Sequence, residues 1–327
     1  MGENGRYTIA ETLYESKTTV VRRAIRNTDN AAVVLKYLNK RYPNDSETAK
    51  FIREYEIANG IDEDGVVRMI STETIDDTVA IVMENCGGET IGDLLERERR
   101  IPIEFFLNLG LQMSAILEVI HRYGVIHRDI NPSNIVWARE SDRLTLIDFG
   151  ISSLLKSENP RGVSATSIEG TLKYMSPEQT GRMNRAVDYR TDYYSLGVTF
   201  YEMLTGVVPF DSDDAMELVH SHIAKEPKPP HEIDTRIPKP VSDIVMKLMN
   251  KMAEGRYRSM YGLRVDLDWC REQAQRDGAI DLFQLGRKDI SREFLVSQKL
   301  YGRSTELQAL MDVYSETRKG ENRTVFV

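Results

Sequence analysis

The spacing of apolar and polar residues is typical of strands over the first 38 residues and mainly of helices in the later part of the chain. Over residues 7–38, short β-branched runs are broken at YESK and NTDN, which predicts three antiparallel strands joined by hairpins. In the third run, AAVVLKYL, a period of two puts Val34, Lys36 and Leu38 on one face. SETAKFIREYEIAN then has apolar residues at helical spacing, so it predicts a helix capped by Ser46, and VAIVMEN predicts another strand.

Helical periodicity dominates the rest of the chain. Pro102 and Gly124 bracket a long apolar stretch, as at the start and end of a helix. The segments NIVWA and LTLIDFG after it predict a hairpin. Further helices are predicted at Asp192–Leu204, Asp213–Ala224, Val241–Met252 and Ser259–Arg276. The pattern predicts an α+β fold with two lobes, a small antiparallel sheet with one helix and then a mainly helical lobe.

Composition and charge narrow the class of protein. The 327 residues are 41% hydrophobic and 29% charged, and the net charge of -8 argues against a nucleic-acid or anionic-membrane surface. Cys86 and Cys270 are too few for a disulfide framework, so we expect a cytoplasmic protein. No apolar run reaches the roughly 18 residues of a spanning helix, so no membrane segment is expected. His220 and His222 diverge on a helix and are expected at the surface.

Polar side chains follow the short apolar segments of the predicted hairpin region. Asp129 and Asn134 lie in HRDINPSN, where the Asn131-Pro132 dipeptide opposes a helix, and Asp148 ends LTLIDFG. Carboxylate and amide oxygens suit magnesium that is otherwise held by water and phosphate, and a separate aspartate can orient a hydroxyl. Each of these residues alone is also typical of a turn, and Lys36 alone is more typical of an edge lysine whose ammonium reaches solvent.

Taken together and in order, the motifs resemble the protein kinase family. The matching strings are VVLK, HRDINPSN, DFG, GTLKYMSPE and DYYSLG, spread over roughly residues 7–272. The resemblance is closest to the bacterial serine/threonine kinases. It implies the two-lobed kinase fold, with residues 1–84 as the N-lobe and 85–277 as the C-lobe, and ATP and Mg²⁺ as cofactors.

The resemblance implies a role for each matching residue near the transferred phosphate. Asp129 is the expected base that orients the acceptor hydroxyl, and Asn134 and Asp148 are the expected magnesium ligands. Lys36 is expected to contact the α- and β-phosphates while Glu54 holds it, with Glu56 as a less well spaced alternative. The residues expected to bind ATP are Leu13, Val21, Val34, Lys36, Glu54, Met83, Glu84 and Cys86.

The same resemblance implies structural roles for three residues of the larger lobe. Glu178 and Arg256 are expected to form an ion pair. Asp192 is expected to brace the loop that carries Asp129. These residues would support the site without taking part in the reaction.

Two departures from the kinase pattern bear on activity. The glycine-rich loop of the family maps onto YESKTTVV, so Tyr14, Ser16 and Thr19 replace its glycines, and weaker contact with ATP phosphates is expected. Asn131 is assigned to catalysis because it stands where serine/threonine kinases have a lysine, but its amide brings no charge. The loss is expected to be about 10²- to 10³-fold in rate unless another cation, such as Lys173, compensates.

The polar segment between Gly150 and Gly170 corresponds to the activation loop of the family. Arg128 is the expected sensor of a phosphate there, and an unmodified loop is an equal alternative. The candidate regulatory positions are Ser164, Thr166, Ser167 and Thr171.

The strings DINPSN, SPEQTGRMNRAVDYRTD and KLYGRSTEL also resemble kinase modules of large bacterial signalling proteins, in which an ATPase and a sensor histidine kinase follow. Residues 278–327 are then expected to be a linker and the start of a truncated ATPase module. The expected partners are a protein substrate and this covalent continuation, with no nucleic acid.

The function predicted is ATP-dependent phosphorylation of serine and threonine in protein substrates. The alternative is a nucleotide-binding pseudokinase that regulates the adjoining module. The joint presence of Lys36, Glu54, Asp129, Asn134 and Asp148 favours the enzyme. A small-molecule phosphotransferase is disfavoured because GTLKYMSPE resembles a platform for protein substrates.

Overall fold

The computed structural model describes residues 5–39, 44–75, 78–154, 171–183 and 185–290. In these residues a five-stranded antiparallel sheet with one helix is followed by a lobe made mainly of helices. The α+β fold with two lobes that the sequence predicts is therefore confirmed.

The sheet of the first lobe contains one more strand than the sequence pattern predicts. Its strands are β1 (Tyr7–Glu15), β2 (Thr19–Arg26), β3 (Ala31–Leu38), β4 (Met69–Ile75) and β5 (Thr78–Glu84). They lie in the order β1-β2-β3-β5-β4, and the predicted hairpins between β1, β2 and β3 are confirmed. The pattern missed β4 because MISTETI is largely polar, as an edge strand that pairs on one side can be.

Helix α1 (Asp45–Asn59) packs against this sheet and has a different cap from the one predicted. Asn44 Oδ1 accepts the N–H of Glu47 at 2.9 Å, and Glu47 Oε2 accepts the N–H of Asn44 at 2.9 Å. This reciprocal capping box makes Asn44 the N-cap at the start of the helix, so the prediction of Ser46 as the cap was wrong. Glu54 lies on the buried face of α1 and Glu56 on its exposed face.

The second lobe surrounds a long central helix. Its helices are α2 (Ile91–Glu98), α3 (Ile103–Arg122), α4 (Arg190–Thr205), α5 (Ala215–Ala224), α6 (Pro230–Ile233), α7 (Lys239–Leu248) and α8 (Met260–Asp277). Helix α3 packs against α8, and α4 packs against α7. The predicted helices are all present, and α3 begins after Pro102 and ends before Gly124 as expected.

Helix α3 is also long and apolar enough, by length and composition, to cross a membrane. Half of its apolar window, 50%, is buried inside the protein, where Phe106, Leu109 and Met113 pack in the core. The central helix of a globular core passes the same test, and the packing against α8 accounts for the apolar residues here.

Helix α5 buries one of the two histidines that were expected at the surface. His220 is exposed, but His222 is 1% exposed, and its Nδ1 lies 2.9 Å from the hydroxyl oxygen of Tyr194. The prediction for His222 was wrong because this face of α5 packs against aromatic rings, including Phe210. Burial lowers the pKa of His222 to about 4.

Short strands place the polar loops of the second lobe. Strand β6 (Glu89–Thr90) pairs with β8 (Ile135–Ala138), which pairs with β9 (Arg143–Leu146), while β7 (Val125–Ile126) pairs with β10 (Ser153–Leu154). The predicted β8–β9 hairpin is thus confirmed. Because Ile135 lies opposite Leu146, Asn134 and Asp148 are brought to the same end of the hairpin.

The stretch after α8 packs back onto the second lobe. Phe283 lies with its ring centroid 6.1 Å from that of Trp269, and Gly286 N–H donates to Asp266 Oδ2 at 2.7 Å. Asp289 accepts the N–H of Ser259 at 3.0 Å, at the start of α8. The first compact unit of the chain extends to Ile290, and the division at residue 278 stays a prediction.

Candidate active site

The register of the first sheet determines where Lys36 points. Val21 on β2, Lys36 on β3 and Ile81 on β5 lie opposite one another, so their side chains share a face. The row beside them contains Val34 and Met83, and both are buried. Lys36 is itself only 8% exposed, and a buried ammonium group is stable only with charged or hydrogen-bonded partners.

Two carboxylates from different lobes hold this ammonium group. Lys36 Nζ donates to Glu54 Oε1 at 2.7 Å and to Asp148 Oδ1 at 2.8 Å. Burial alone would lower the pKa of Lys36, but the charges of Asp148 and Glu54 raise it above the ordinary value. Lys36 is therefore a fixed positive charge that links α1 to the segment after β9.

The pKa values of the two carboxylates are shifted in opposite directions. Burial raises the pKa of Glu54 to about 7, although Lys36 acts in the opposite direction. Burial also opposes ionisation of Asp148, but Lys36 and the N–H of Gly150 lower the pKa of Asp148 below the ordinary value. The Asp148 side chain is 42% exposed, so it is the ionised carboxylate that a ligand can reach.

Two residues of the site have left-handed backbone conformations that are uncommon without glycine. Arg128 has a φ of 70° and Asp148 a φ of 63°. Such conformations persist where surrounding contacts hold them. Arg128 N–H donates to Asp192 Oδ1 at 2.7 Å, and Asp148 Oδ1 accepts the N–H of Gly150 at 3.1 Å.

Asp129 is held in one orientation by neutral donors. Asn134 Nδ2 donates to the backbone oxygen of Asp129 at 2.9 Å and to its Oδ2 at 3.1 Å. Thr171 N–H donates to Asp129 Oδ1 at 3.0 Å. No ion pair of Asp129 is found among the described residues, and a carboxylate oriented in this way is suited to accept a hydrogen bond from a substrate hydroxyl.

Asn131 has a structural task at the start of the next turn. It is 4% exposed, and its Oδ1 accepts the N–H of Ser133 at 3.0 Å, which caps the short 3-10 turn Pro132–Asn134. Its Nδ2 donates to the backbone oxygen of Asp129 at 3.1 Å and lies 3.5 Å from Thr171 Oγ1. The amide therefore joins the loop to the segment that begins at Thr171.

A buried aspartate, Asp192, supports the loop that carries Asp129, as the resemblance to kinases predicts. Asp192 on α4 accepts the N–H of His127 at 2.9 Å and the N–H of Arg128 at 2.7 Å. His121 Nε2 on α3 lies 2.8 Å from Asp192 Oδ2. The three contacts join α3, α4 and the loop that carries Asp129.

The predicted ion pair of the second lobe is also present. Arg256 Nη1 and Nη2 donate to the two carboxylate oxygens of Glu178 at 2.6 and 2.9 Å, and both side chains are buried. Breaking such a pair from one side leaves an uncompensated buried charge, so these residues stabilise the lobe rather than act in the reaction.

Oxygen atoms near the end of the β8–β9 hairpin fit a magnesium ion. Asn134 uses its Nδ2 on Asp129, and in the described part of the chain no donor contacts its Oδ1. Asp148 binds Lys36 and Gly150 through Oδ1, and no contact with a described residue involves its Oδ2. No cluster of three or more His, Cys, Asp or Glu residues suited to a metal is found among the described residues. Two hard oxygen ligands are typical of a magnesium ion that is otherwise held by phosphate and water.

Comparison of the sequence with known protein families gives a match over most of the chain. The protein kinase domain matches residues 7–263. The chain belongs to the protein kinase family. The lysine with its two carboxylates, the asparagine and the aspartate on the neighbouring loop all lie within the matched residues.

Curated relatives carry related names. A protein of Clostridium perfringens called probable serine/threonine-protein kinase is 33% identical over 80% of this kinase chain, which spans 38% of that relative. Serine/threonine-protein kinase pkn3 of Myxococcus xanthus is 29% identical over 83% of the chain and 51% of the relative. Hybrid signal transduction histidine kinase G of Dictyostelium discoideum is 30% identical, over 69% of the chain and 9% of the relative.

Four of the residues predicted to bind ATP, namely Leu13, Val21, Val34 and Met83, lie on strands of the first sheet. Val34 and Met83 are buried side by side, and Val21 adjoins Lys36. Leu13 falls in a β-bulge between β1 and β2 and is 43% exposed. Their contacts with ATP remain predictions.

Glu84, the last residue of β5, is bound to Arg68, which lies just before β4. Its N–H donates to the backbone oxygen of Arg68 at 3.0 Å, and its Oε1 accepts the N–H of Arg68 at 3.1 Å. Cys86 is partly buried, and burial together with the charge of Glu84 raises the pKa of its thiol to about 11. The contact of Glu84 and Cys86 with adenine remains a prediction.

Several residues assigned from the sequence lie away from the cleft or outside the described chain. Lys173, the possible substitute for a missing cation, pairs with Asp211 at 2.7 Å, and both side chains are largely exposed. The candidate regulatory positions Ser164, Thr166 and Ser167 lie outside the described residues. Thr171 is described, and it contacts Asp129 and Asn131.

Sequence analysis assigned no role to two residues that support the kinase loop. His127 Nε2 lies 3.1 Å from the backbone oxygen of Ile147, and its ring packs edge-on to Phe149 at 4.8 Å. Gln179 Nε2 donates to the backbone oxygen of Arg128 at 2.8 Å. His127 could have been selected because it stands inside HRDINPSN, but no local pattern marks Gln179.

Proposed function

We propose that this chain transfers the γ-phosphoryl group of magnesium ATP to serine or threonine hydroxyls of protein substrates, in cytoplasmic bacterial signalling. The observation that carries the proposal is the bridge from Lys36 Nζ to Glu54 Oε1 at 2.7 Å and Asp148 Oδ1 at 2.8 Å. Relatives named serine/threonine-protein kinases support the choice of acceptor.

The chemistry asks for positioning and for neutralisation of charge rather than for covalent help. Lys36, on strand β3 of the first sheet, contacts the phosphate oxygens of ATP. Asp129 accepts the hydrogen bond of the substrate hydroxyl and aims its oxygen at the phosphorus atom. Asn134 and Asp148 would hold a magnesium ion, which would supply positive charge at the phosphate oxygens.

Asn131 takes part by orientation. Its Nδ2 donates to the backbone oxygen of Asp129 at 3.1 Å, and its Oδ1 holds the N–H of Ser133 at 3.0 Å. It therefore fixes the base without adding charge to the transferring phosphate. A moderate turnover follows, because one preorganised electrostatic donor is worth about 10² to 10³ in rate.

Regulation of this activity involves the polar segment between Gly150 and Gly170. Thr171 follows this segment, and its N–H donates to Asp129 Oδ1 at 3.0 Å. Arg128 adjoins the base and is assigned to sense a phosphate on Ser164, Thr166 or Ser167. A covalent continuation into an ATPase and sensor module is the proposed route by which a signal reaches the kinase, and the Dictyostelium relative is named as a hybrid histidine kinase.

The second candidate function is a nucleotide-binding pseudokinase that signals by conformation. The turn between β1 and β2 without glycines and the neutral Asn131 favour it. It differs from the first proposal in one measurable respect, because it binds magnesium ATP without transferring phosphate.

The test is transfer of labelled γ-phosphate from magnesium ATP to the chain itself and to a generic protein acceptor. Asp148→Asn removes the charge of a proposed ligand with little change in shape. Asp243→Asn on α7 is the matched control, because Asp243 only forms an exposed pair with Lys239. Label on serine or threonine that is lost in Asp148→Asn and kept in Asp243→Asn supports the kinase. A rise in melting temperature with magnesium ATP but no label would favour the pseudokinase.

A further inference from the structure

The turn between β1 and β2 is closed by its own hydrogen bonds. Ser16 N–H donates to the backbone oxygen of Thr19 at 2.9 Å. Ser16 Oγ accepts the N–H of Thr18 at 3.2 Å and the N–H of Thr19 at 3.0 Å. A side-chain hydroxyl thus occupies two backbone donors at the tip of the turn.

The same turn is tied to the strand that carries Lys36. Asn39, just after β3, donates its N–H to the backbone oxygen of Thr18 at 2.8 Å and its Nδ2 to the backbone oxygen of Ser16 at 2.7 Å. The tip is therefore held both by Ser16 from within and by Asn39 from the neighbouring strand.

This closure bears directly on phosphate binding. A loop that covers phosphates binds them with backbone N–H groups, and glycine lets those groups approach closely. Here the N–H groups of Thr18 and Thr19 already have an acceptor in the Ser16 hydroxyl. Phosphate oxygens are stronger acceptors than a hydroxyl because they are charged, but they must displace it first.

We propose that Ser16 is a positioning residue that sets the affinity for the phosphates of ATP, by competing with them for the N–H groups of Thr18 and Thr19. The inference rests on the proposed function of the cleft as an ATP site. Removal of the hydroxyl frees both donors while Asn39 keeps the turn in place, so phosphate binding becomes tighter.

The test compares two ligands in equilibrium binding on the full chain, magnesium ATP and adenosine, which has no phosphate. Ser16→Ala is expected to lower the Kd of magnesium ATP about three- to tenfold and to leave the Kd of adenosine unchanged. In steady-state assays the KM for ATP falls and kcat does not. Ser16→Thr restores the hydroxyl and returns the Kd to the value of the unmodified chain.

A serine outside the cleft provides the control. Ser212 Oγ also accepts a backbone N–H, from Asp214 at 3.1 Å, so Ser212→Ala removes a similar bond and leaves both Kd values unchanged. Weaker magnesium ATP binding in Ser16→Ala would overturn the proposal, since the hydroxyl would then be a phosphate ligand. Equal tightening of adenosine, no change in either Kd, or no binding of nucleotide by any variant would overturn it as well.

The outcomes separate this inference from the proposed function. Tighter magnesium ATP binding in Ser16→Ala without any phosphate transfer supports the role of Ser16 and refutes the kinase activity. Phosphate transfer with unchanged Kd values in Ser16→Ala supports the activity and refutes the role of Ser16.

Discussion

Replacement of Lys36 by methionine tests the ion-pair network through stability as well as turnover. The change removes a cation that lies 2.7 Å from Glu54 and 2.8 Å from Asp148. Loss of one partner of a buried ion pair costs about 3–5 kcal/mol because the other charge is left buried. The cost here lies at or below the lower end of that range, since Asp148 is 42% exposed and can be hydrated, while Glu54 can take up a proton.

The cost also depends on pH, and its sign follows from Glu54. The pKa of Glu54 is raised from 4.5 to about 7 in the folded chain, and it rises further once Lys36 is lost. A group whose folded pKa is raised binds more protons folded than unfolded, so its contribution to stability is lost as pH rises through the folded pKa. The unmodified chain loses this contribution by about pH 7, whereas Lys36→Met continues to lose it above pH 7 because its Glu54 has the higher pKa. Above pH 7 the difference in the free energy of unfolding between the two proteins therefore grows by about 1.4 kcal/mol per pH unit.

Urea denaturation at several pH values between 6 and 9 measures this directly. We expect Lys36→Met to become progressively less stable than the unmodified chain above about pH 7. The double variant with Glu54→Gln should lack that dependence because it has no buried carboxyl to ionise. Phosphate transfer should fall by about 10²- to 10³-fold in Lys36→Met. A destabilisation that is constant with pH, or a double variant whose cost is the sum of the single costs, would refute the reasoning.

Two further substitutions have defined outcomes. Asn131→Lys removes the acceptor for Ser133 N–H at 3.0 Å, so urea denaturation should show a loss of about 1 kcal/mol. Turnover in the labelled-phosphate assay should not rise, because the lysine adds a charge but removes the amide bond to the backbone oxygen of Asp129 at 3.1 Å that helps to orient the base. A tenfold gain would mean that the missing charge limits the rate. His222→Gln tests the effect of the buried histidine, whose pKa is lowered from 6.5 to about 4 in the folded chain. Between these two pH values the unfolded chain binds a proton that the folded chain does not, so the free energy of unfolding should fall by about 3 kcal/mol as the pH drops from 6.5 toward 4. Stability should therefore fall less in His222→Gln than in the unmodified chain between pH 7 and pH 4.5, and equal losses would contradict the neutral buried histidine.

Much of the candidate site could be inferred from the order of motifs along the chain. Lys36 on a strand, Asp129 and Asn134 in one loop and Asp148 after a hairpin were predicted, and the structure brings Lys36 to Asp148 and Asn134 to Asp129. The choice of Glu54 over Glu56 rested on spacing. It agrees with the packing of α1, which buries Glu54 and exposes Glu56.

The hydrogen bonds made by the side chains of Ser16 and Asn131 could not be predicted from the order of motifs. Ser16 was identified as a replacement for glycine, but its bonds to Thr18 and Thr19 depend on the tight turn that the strand register allows. Asn131 was expected to lack a charge, and its capping of Ser133 emerged from the three-dimensional arrangement. Each of these side-chain contacts also requires a particular backbone conformation, which residue type alone does not specify.

The sequence by itself determined the elements whose signals are local. Helix α3 follows from its periodicity between Pro102 and Gly124, and the first three strands follow from alternation and turn residues. Such patterns suffice because helix and strand periods are set by backbone geometry within each segment. Only the tertiary structure decided which polar groups are buried together. The pKa of Glu54 near 7 and the neutral state of His222 arise from desolvation by residues distant in sequence, which no local pattern encodes.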